Sequence, residues 1–467
     1  MALKIKYLLI PIALGIGILP IIDLKFALIF LCIVVGFYGV IVWKKIVQSR
    51  VNLKYSSLTD YTPIEKEVIA AYSVSRFIYY TGMFFIGQQA FRLPFSFTLS
   101  DYLFLASFTF MAFIFLNARD KLPNYPKGII IGLFLFLVGA FISSYTASSP
   151  LASVATFIRV PYIILVWFGL GTIILKNEKH VRTAVWMWVL SIAVNGLVAI
   201  LSTKFSIPYT SSTWGRQAAF ADHVNDLGGS SAIAWVPALY LATQYKWKGI
   251  KKVLSFLPLI LVGMGAVLSG TVSGFIVIFA GTLVWLFVVG LNKRLLLITA
   301  IGAIGLALLI GYQVQNGLPT PFERLELTTS SSNQDSSFQS RVQTYQEAWQ
   351  YIQNQPFIGV GFDAASKTTE SGFEPHNILV GVFFKGGIIA LIGIIIIIVS
   401  FFLIGVSLLR SSADKKSYLL NLSLFVSYLS SVLFSMTSPA LYQRYIWVPT
   451  ALLVALYLQQ KLKQRSS

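Results

Sequence analysis

The sequence places a titratable side chain at the end of its longest polar stretch. Residues 314–376 are polar within an otherwise apolar chain, and they end in Glu374-Pro375-His376-Asn377, where a long apolar run begins. An imidazole has an ordinary pKa near 6.5, which suits it to moving protons at ambient pH. His376 is therefore a candidate general base that takes a proton from an acceptor hydroxyl. The alternative is an interfacial histidine that caps the next helix.

Arginines are the second group of side chains that could do chemistry. Arg216 and Arg341 lie in polar segments, and guanidinium groups bind phosphate oxygens in a bidentate manner. The alternative for both is contact with lipid headgroups or an ion pair with a nearby acidic residue. Arg444 comes at a helix end, where it could line an anion pocket or anchor the helix. Arg92 and Arg324 are weaker candidates of the same kind.

Composition indicates the elements that must position these side chains. The chain has 467 residues, of which 56% are hydrophobic and 11% charged, whereas soluble domains carry about 25% charged residues. Apolar runs long enough to span a bilayer recur along the whole length. The sequence therefore predicts an all-α polytopic membrane protein. The net charge of +19 does not indicate nucleic acid binding, because the basic residues lie in short loops between the apolar runs.

Hydropathy and charge predict the number of helices and their direction. Most of the 36 basic residues lie in alternate loops, which places both termini in the cytoplasm and residues 204–225 and 314–376 outside. The first apolar run is expected to be a retained helix rather than a cleaved signal peptide. About fourteen transmembrane helices are predicted, at 7–22, 26–43, 68–90, 100–117, 127–147, 155–176, 183–203, 226–244, 252–269, 273–291, 295–313, 377–406, 418–438 and 444–460.

The large extracytoplasmic loop is predicted to carry a short helix of its own. Phe338, Val342, Tyr345, Trp349 and Ile352 recur at spacings of four, three, four and three, which is one apolar face of an amphipathic helix over 338–353. Its aromatic residues suit an interfacial position. A polar, low-complexity linker at 328–337 precedes the helix.

These elements divide the chain into four predicted parts. The parts are an N-terminal hairpin and cytoplasmic loop (1–66), a transmembrane core (67–313), the extracytoplasmic loop (314–376) and C-terminal transmembrane helices (377–467).

The sequence argues against a metal or cofactor. Cys32 is the one cysteine, and His180, His223 and His376 are far apart in the chain without a paired histidine motif. No acidic pair marks the early outer loops. Any group transfer is therefore expected to depend on arginines and a base, with no metal and no cofactor.

An ordered set of motifs resembles the O-antigen ligase and polymerase family. The set consists of Ser340-Arg341, Glu347-Ala348-Trp349, Gln355-Pro356-Phe357-Ile358-Gly359-Val360-Gly361, Pro375-His376-Asn377-Ile378-Leu379 and Lys385-Gly386-Gly387-Ile388. The segment from Arg216 to Asn225 resembles the outer-loop Arg…Asn motif of the same family.

The resemblance implies an inverting, metal-independent membrane glycosyltransferase of the GT-C type with an undecaprenyl-diphosphate-linked glycan as donor. His376 would be the catalytic base, and Arg341 would bind the diphosphate and stabilise the leaving group. The expected substrate-binding residues are Arg216, Asn225, Tyr345, Asn377 and Arg444. One departure is that Ser269-Gly270-Thr271 stands where many members have a Ser-Arg pair. Either Arg216 supplies the second phosphate contact or the diphosphate is held differently.

Several functions remain open at this point. The first is a polymerase of lipid-linked repeat units at the outer face of the bacterial cytoplasmic membrane, because fourteen helices exceed the roughly twelve expected of a ligase. The second is a ligase onto lipid A-core, and the third is a transferase onto protein. A flippase or transporter would need charges near the midplane and matching halves, which the sequence does not show. A structural membrane protein would not need His376 and Arg341 together. The expected partners are the glycan donor, a saccharide acceptor, membrane lipids and, for a polymerase, a chain-length regulator.

Overall fold

A computed structural model describes residues 63–91, 97–118, 125–213, 215–244, 256–290, 337–363 and 374–466, with scattered positions between 307 and 323. The described chain is mostly helical. In chain order its elements are α1 (Pro63–Phe85), α2 (Leu99–Ala118), α3 (Lys127–Ser144), α4 (Pro150–Ile174, with a π-helical segment Ile163–Phe168), α5 (Glu178–Ser202), β1 (Ser211–Thr213), β2 (Arg216–Ala219), α6 (Val224–Gln244), α7 (Leu257–Ser269), α8 (Val272–Val289), α9 (Ser337–Asn354), α10 (Ile378–Arg410), α11 (Lys415–Ser435) and α12 (Arg444–Ser466).

Six of the described helices are long and apolar enough to cross a membrane. They are α3, α4, α5, α8, α10 and α11. Mean hydropathy reaches 3.2 in α10, because its central residues are almost all isoleucine, leucine, valine, phenylalanine and glycine. The helix that follows His376 is thus the most lipid-compatible of these spans.

Small residues let α3 and α10 approach closely. A Cβ atom added to Gly132 of α3 would lie 2.7 Å from the Gly393 carbonyl oxygen, and one added to Gly139 would collide with the backbone of Ala390. Between lipid-embedded helices, backbone approach of this kind supplies van der Waals contact that larger side chains would prevent. The pair fixes α10 against the rest of the bundle.

Helix α10 is broken, and a distant turn fills the break. Gly387 has φ +68° and ψ −174°, a conformation open to glycine and strained for other residues. The carbonyl oxygens of Phe384 and Lys385 accept hydrogen bonds from the N–H groups of Val360 (3.0 Å) and Gly361 (2.9 Å). Ile388 N–H donates to the Pro356 carbonyl oxygen at 2.9 Å. The Pro-x-x-Gly-x-Gly turn therefore satisfies the polar groups that the break exposes, as backbone at membrane depth requires.

A short hairpin departs from the all-α prediction. Strands β1 and β2 pair antiparallel in the 204–225 segment, with Thr213 opposite Arg216 and a bulge between Ser211 and Ser212. Gly215 takes a positive φ of 74°, which supplies the reversal between the strands. The segment was predicted only as a loop, because strands of three and four residues carry too few positions for a periodic signal.

The eleven predicted helices that fall within the described residues are present, with ends shifted by a few residues. The helix predicted at 338–353 is present as α9. The helices predicted at 7–22 and 26–43, most of 295–313 and nearly all of the 328–337 linker lie outside the described residues. The total of fourteen, the GT-C architecture and the division into four parts stay predictions.

Candidate active site

His376 lies one residue before the cap of α10. The side-chain oxygen of Asn377 accepts hydrogen bonds from the N–H groups of Leu379 (2.9 Å) and Val380 (3.2 Å), which is N-capping by an asparagine. Asn377, predicted to bind substrate, thus uses its oxygen to hold the helix end. It fixes the chain direction at His376, so the imidazole is positioned by a helix terminus and not by a free loop.

The surroundings of the His376 imidazole disfavour its charged form. Its Nδ1 is buried and has no hydrogen-bond partner within the described part of the chain. Burial lowers the pKa of His376 because it disfavours the charged ring, and the positive charges of Arg341 and His223 lower it further. The backbone and carboxylate of Glu374 act in the opposite direction. A neutral, partly buried imidazole is the form that can accept a proton.

Arg341 comes to His376 from α9. It is half-buried, and burial lowers the pKa of its guanidinium while Tyr345, one turn later, opposes that shift. The same burial raises the pKa of the Tyr345 phenol, and Arg341 opposes that shift in turn. Arg341 is therefore close enough to His376 to act on its pKa, and Tyr345 is close enough to Arg341 to do the same.

The packed face of α9 shares Ile352 with the predicted apolar stripe, but not Val342 or Trp349. Thr344, Ala348 and Ile352 are buried and follow one another at intervals of four, and Ala348 and Ile352 pack against Phe384 of α10. Val342 and Trp349, which belong to the predicted stripe, are 37% and 55% exposed. The sequence pattern gave weight to large apolar residues, so it missed the small buried residues Thr344 and Ala348.

Arg216 reaches from β2 to the turn between α7 and α8. Its Nε donates to the Ser269 carbonyl oxygen at 2.6 Å, and one terminal nitrogen donates to Asn225 Oδ1 at 2.8 Å and to Thr271 Oγ1 at 3.1 Å. Asn225, the second predicted residue of this segment, thus orients the guanidinium. Arg216 places its positive charge at the Ser269–Thr271 turn, where the family pattern has the arginine that this chain lacks.

His223 is a site residue that the sequence analysis did not single out. Its Nδ1 accepts a hydrogen bond from the Asn225 N–H at 3.1 Å. Burial and the charge of Arg216 lower the pKa of His223, and Asp222 opposes them. Its charge in turn acts on His376. The sequence signal for His223 was its position between Arg216 and Asn225. It was not selected because no second histidine lies at metal-ligand spacing from it.

A buried ion pair stands next to His376 in the chain. Lys385 Nζ lies 2.8 Å from Glu374 Oε1, and the lysine side chain is almost fully buried while that of Glu374 is partly exposed. Lys385 sits at the break in α10, where its carbonyl oxygen bonds to Gly361. The turn at 356–361 therefore fixes the helix break, where Lys385 lies. Lys385 in turn binds Glu374, two residues before His376.

Two comparisons agree with the resemblance found in the sequence. Residues 257–395 match the family model described as O-antigen ligase. The chain is also similar to an O-antigen ligase of Pseudomonas aeruginosa, with 26% identity over 392 residues that cover 82% of this chain and 89% of the relative. Both matches are to O-antigen ligases, and they agree with the family that the motifs resemble. The similarity and the apolar helices together support a multi-pass membrane protein.

The residues that match the O-antigen ligase model include central residues of the candidate site. The match runs from α7 into α10 and includes Arg341, His376 and the Ser269–Thr271 turn. Arg216 and His223 lie outside it and join the site only through the fold. The structure thus assembles the candidate site from β2, the α6 start, α9 and the α10 start.

Arg444 forms a buried ion pair with Asp101. Its guanidinium nitrogens lie 2.9 and 3.2 Å from Asp101 Oδ2, and the Asp101 side chain is 2% exposed. The same carboxylate accepts hydrogen bonds from the Thr98 N–H and hydroxyl. Arg444 was predicted to bind substrate, and this geometry favours a structural role that ties the start of α12 to the start of α2.

Arg444→Ala is expected to lower stability by about 3 kcal/mol, because it leaves the buried Asp101 carboxylate without its cation. The measurement is thermal unfolding of the purified protein in detergent. Asp101→Asn in the same background should recover part of the loss, since a neutral amide needs no counter-charge. An unchanged unfolding temperature together with a raised donor KM would instead return Arg444 to the substrate site.

Within the described ranges, no three His, Cys, Asp or Glu side chains gather as metal ligands would. The prediction that transfer needs no metal is therefore left to experiment.

Proposed function

We propose that this protein is a membrane glycosyltransferase that moves a glycan from an undecaprenyl diphosphate carrier to an acceptor hydroxyl. The observation that carries the proposal is the neutral, half-buried His376 beside the cation Arg341, at one end of an apolar helix bundle. A base next to phosphate-binding cations is the arrangement that displacement of a diphosphate needs. Similarity to O-antigen ligases supports the same class of reaction.

The residues divide the reaction between them. His376 takes the proton from the acceptor hydroxyl while the hydroxyl oxygen forms a bond to the anomeric carbon. The bond from that carbon to the diphosphate oxygen breaks, and the electron pair leaves with undecaprenyl diphosphate. Arg341 stabilises the negative charge that develops on the leaving group. The guanidinium of Arg216 provides a second positive charge near that group. One displacement inverts the configuration at the anomeric carbon.

Ligation is the form of this reaction that the comparisons favour. The relative is named O-antigen ligase, and the match covers 89% of its length. The family model has the same description. We therefore place transfer onto lipid A-core first, and the polymerase first expected from the helix number becomes the second candidate. The site is proposed to face the outside of the inner membrane, since the loops that carry Arg216 and Arg341 are poor in basic residues.

The test is turnover of a lipid-diphosphate-linked oligosaccharide by the purified protein, with and without EDTA. One reaction contains lipid A-core as acceptor, and a matched reaction contains only the donor. A single ligated product with released undecaprenyl diphosphate supports the ligase, while a ladder in the donor-only reaction supports the polymerase. A product in EDTA supports metal independence. Intact donor that crosses vesicle membranes in every sample would replace the enzyme with a flippase.

A further inference from the structure

The hydroxyl of Tyr442 is buried and makes no hydrogen bond to the described residues of the protein. Tyr442 lies between α11 and α12, and its phenol oxygen has no hydrogen-bond partner within the described part of the chain. Buried hydroxyls in native proteins are nearly always paired, and an exception calls for an explanation. A partner that arrives with a ligand is one such explanation, since unsatisfied groups occur where substrate will bind.

The surroundings of Tyr442 link it to the candidate base. Lys385 Nζ is 5.8 Å from the centre of the Tyr442 ring and 2.8 Å from Glu374. Burial raises the pKa of the Tyr442 phenol, the charge of Glu374 raises it further, and that of Arg159 lowers it. Glu374 also acts on His376. The Tyr442 hydroxyl and the His376 imidazole thus share one carboxylate neighbour, Glu374.

Tyr442 and the groups that lower the pKa of His376 lie on different elements. Arg341 acts on His376 from α9, and His223 acts on it from the start of α6. Tyr442 belongs to the α11–α12 connection, where the nearby cation Lys385 is paired with Glu374 and Arg159 contributes a second positive charge. Cations suit the diphosphate of the donor, whereas hydroxyl and paired charged groups suit the hydroxyls of a neutral sugar.

We propose that Tyr442 is a further substrate-binding residue, whose phenol hydroxyl binds the acceptor saccharide beside the Lys385–Glu374 pair. The assignment rests on the proposed function. A sugar hydroxyl both donates and accepts hydrogen bonds, so one group can give its proton to His376 while it accepts from Tyr442. Tyr442 would then hold the acceptor oxygen in line with the base and fix which hydroxyl of the acceptor reacts.

Tyr442→Phe removes the hydroxyl and keeps the ring. The expected result is an acceptor KM raised about tenfold with the donor KM unchanged, because one hydrogen bond to the acceptor is lost. Without substrate, the unfolding temperature of this variant should not fall, since the hydroxyl has no partner to lose. Tyr445→Phe is the matched control for stability. The Tyr445 hydroxyl donates to Asp226 at 3.0 Å, so its removal should lower the unfolding temperature.

Three outcomes would overturn the assignment. An unchanged acceptor KM in Tyr442→Phe would do so, and so would a rise in the donor KM alone. A fall in unfolding temperature equal to that of Tyr445→Phe would show that the hydroxyl is structural. His376→Ala, assayed in parallel, separates the two levels of the argument. If the wild type transfers nothing, or His376→Ala still transfers, the proposed function fails with the assignment; if both behave as expected, only the role of Tyr442 is in question.

Discussion

Replacing His376 with alanine is expected to reduce transfer by about 10²- to 10⁴-fold while the donor still binds. Arg341 acts on the pKa of this imidazole, and burial, the larger effect, disfavours its charged form. The measurement is kcat for glycan transfer, with donor binding measured separately by thermal stabilisation. His376→Gln is the matched control for volume and hydrogen bonding, and it should be as inactive as the alanine variant because an amide cannot take the proton.

The pH dependence of transfer tests the same residue without changing it. A general base works when it is deprotonated, and the lowered pKa of His376 keeps the ring neutral to lower pH than a free imidazole. Transfer by the wild type should therefore hold down to pH about 6.5 and fall only below it. Transfer that falls off well above this pH, or a His376→Gln variant within about tenfold of the wild type, would show that another group is the base.

Charge variants around His376 should move this acidic limb in opposite directions. Glu374→Gln removes a negative charge that raises the pKa of His376, so the limb should shift to lower pH. His223→Gln removes a ring whose protonated form lowers the pKa of His376, so the limb should shift to higher pH. Shifts of the same sign in both variants would indicate a general structural disturbance and not an electrostatic effect on one imidazole.

The helices and the pair of catalytic candidates could be predicted because their signals are local or charge-based. Long apolar runs predict spans whatever their tertiary partners, and the helices present in the described residues follow those runs closely. His376 was predictable because it stands where the polar stretch meets a long apolar run. Arg341 was predictable because it is a basic residue within that polar stretch. Both residues also belong to the family motifs, and Arg341 acts on the pKa of His376 in the fold.

The connections within the site could not be predicted, because each joins residues far apart in sequence. The break at Gly387 lies inside an uninterrupted apolar run, and its hydrogen bonds come from a turn some thirty residues earlier. Asp101 belongs to no acidic pair in the sequence, and its partner Arg444 is 343 residues away. Lys385 lies inside an apolar run, and its partner Glu374 precedes the helix.

The break in α10 is expected to be a point at which a single methyl group disables the protein. In Gly387→Ala, the residue must hold a φ of +68° that side chains rarely adopt, and its Cβ would collide with the Phe357 carbonyl. The 356–361 turn would have to leave the helix, which exposes the polar groups of Phe384, Lys385 and Ile388 in an apolar setting. Each unsatisfied group costs several kcal/mol there, so the folded protein should be lost or much less stable.

Gly381→Ala provides the matched control within the same helix. A Cβ at Gly381 meets only the Pro375 oxygen at 3.7 Å, an ordinary contact, and alanine favours a helix over glycine by about 0.5–1 kcal/mol. Thermal unfolding in detergent should therefore rank Gly381→Ala at or above the wild type and Gly387→Ala far below both. Transfer by any Gly387→Ala protein that folds should also fall, because Lys385 and Glu374 lose the geometry that the turn imposes. If the two variants unfold together and both transfer normally, the turn is not what positions His376.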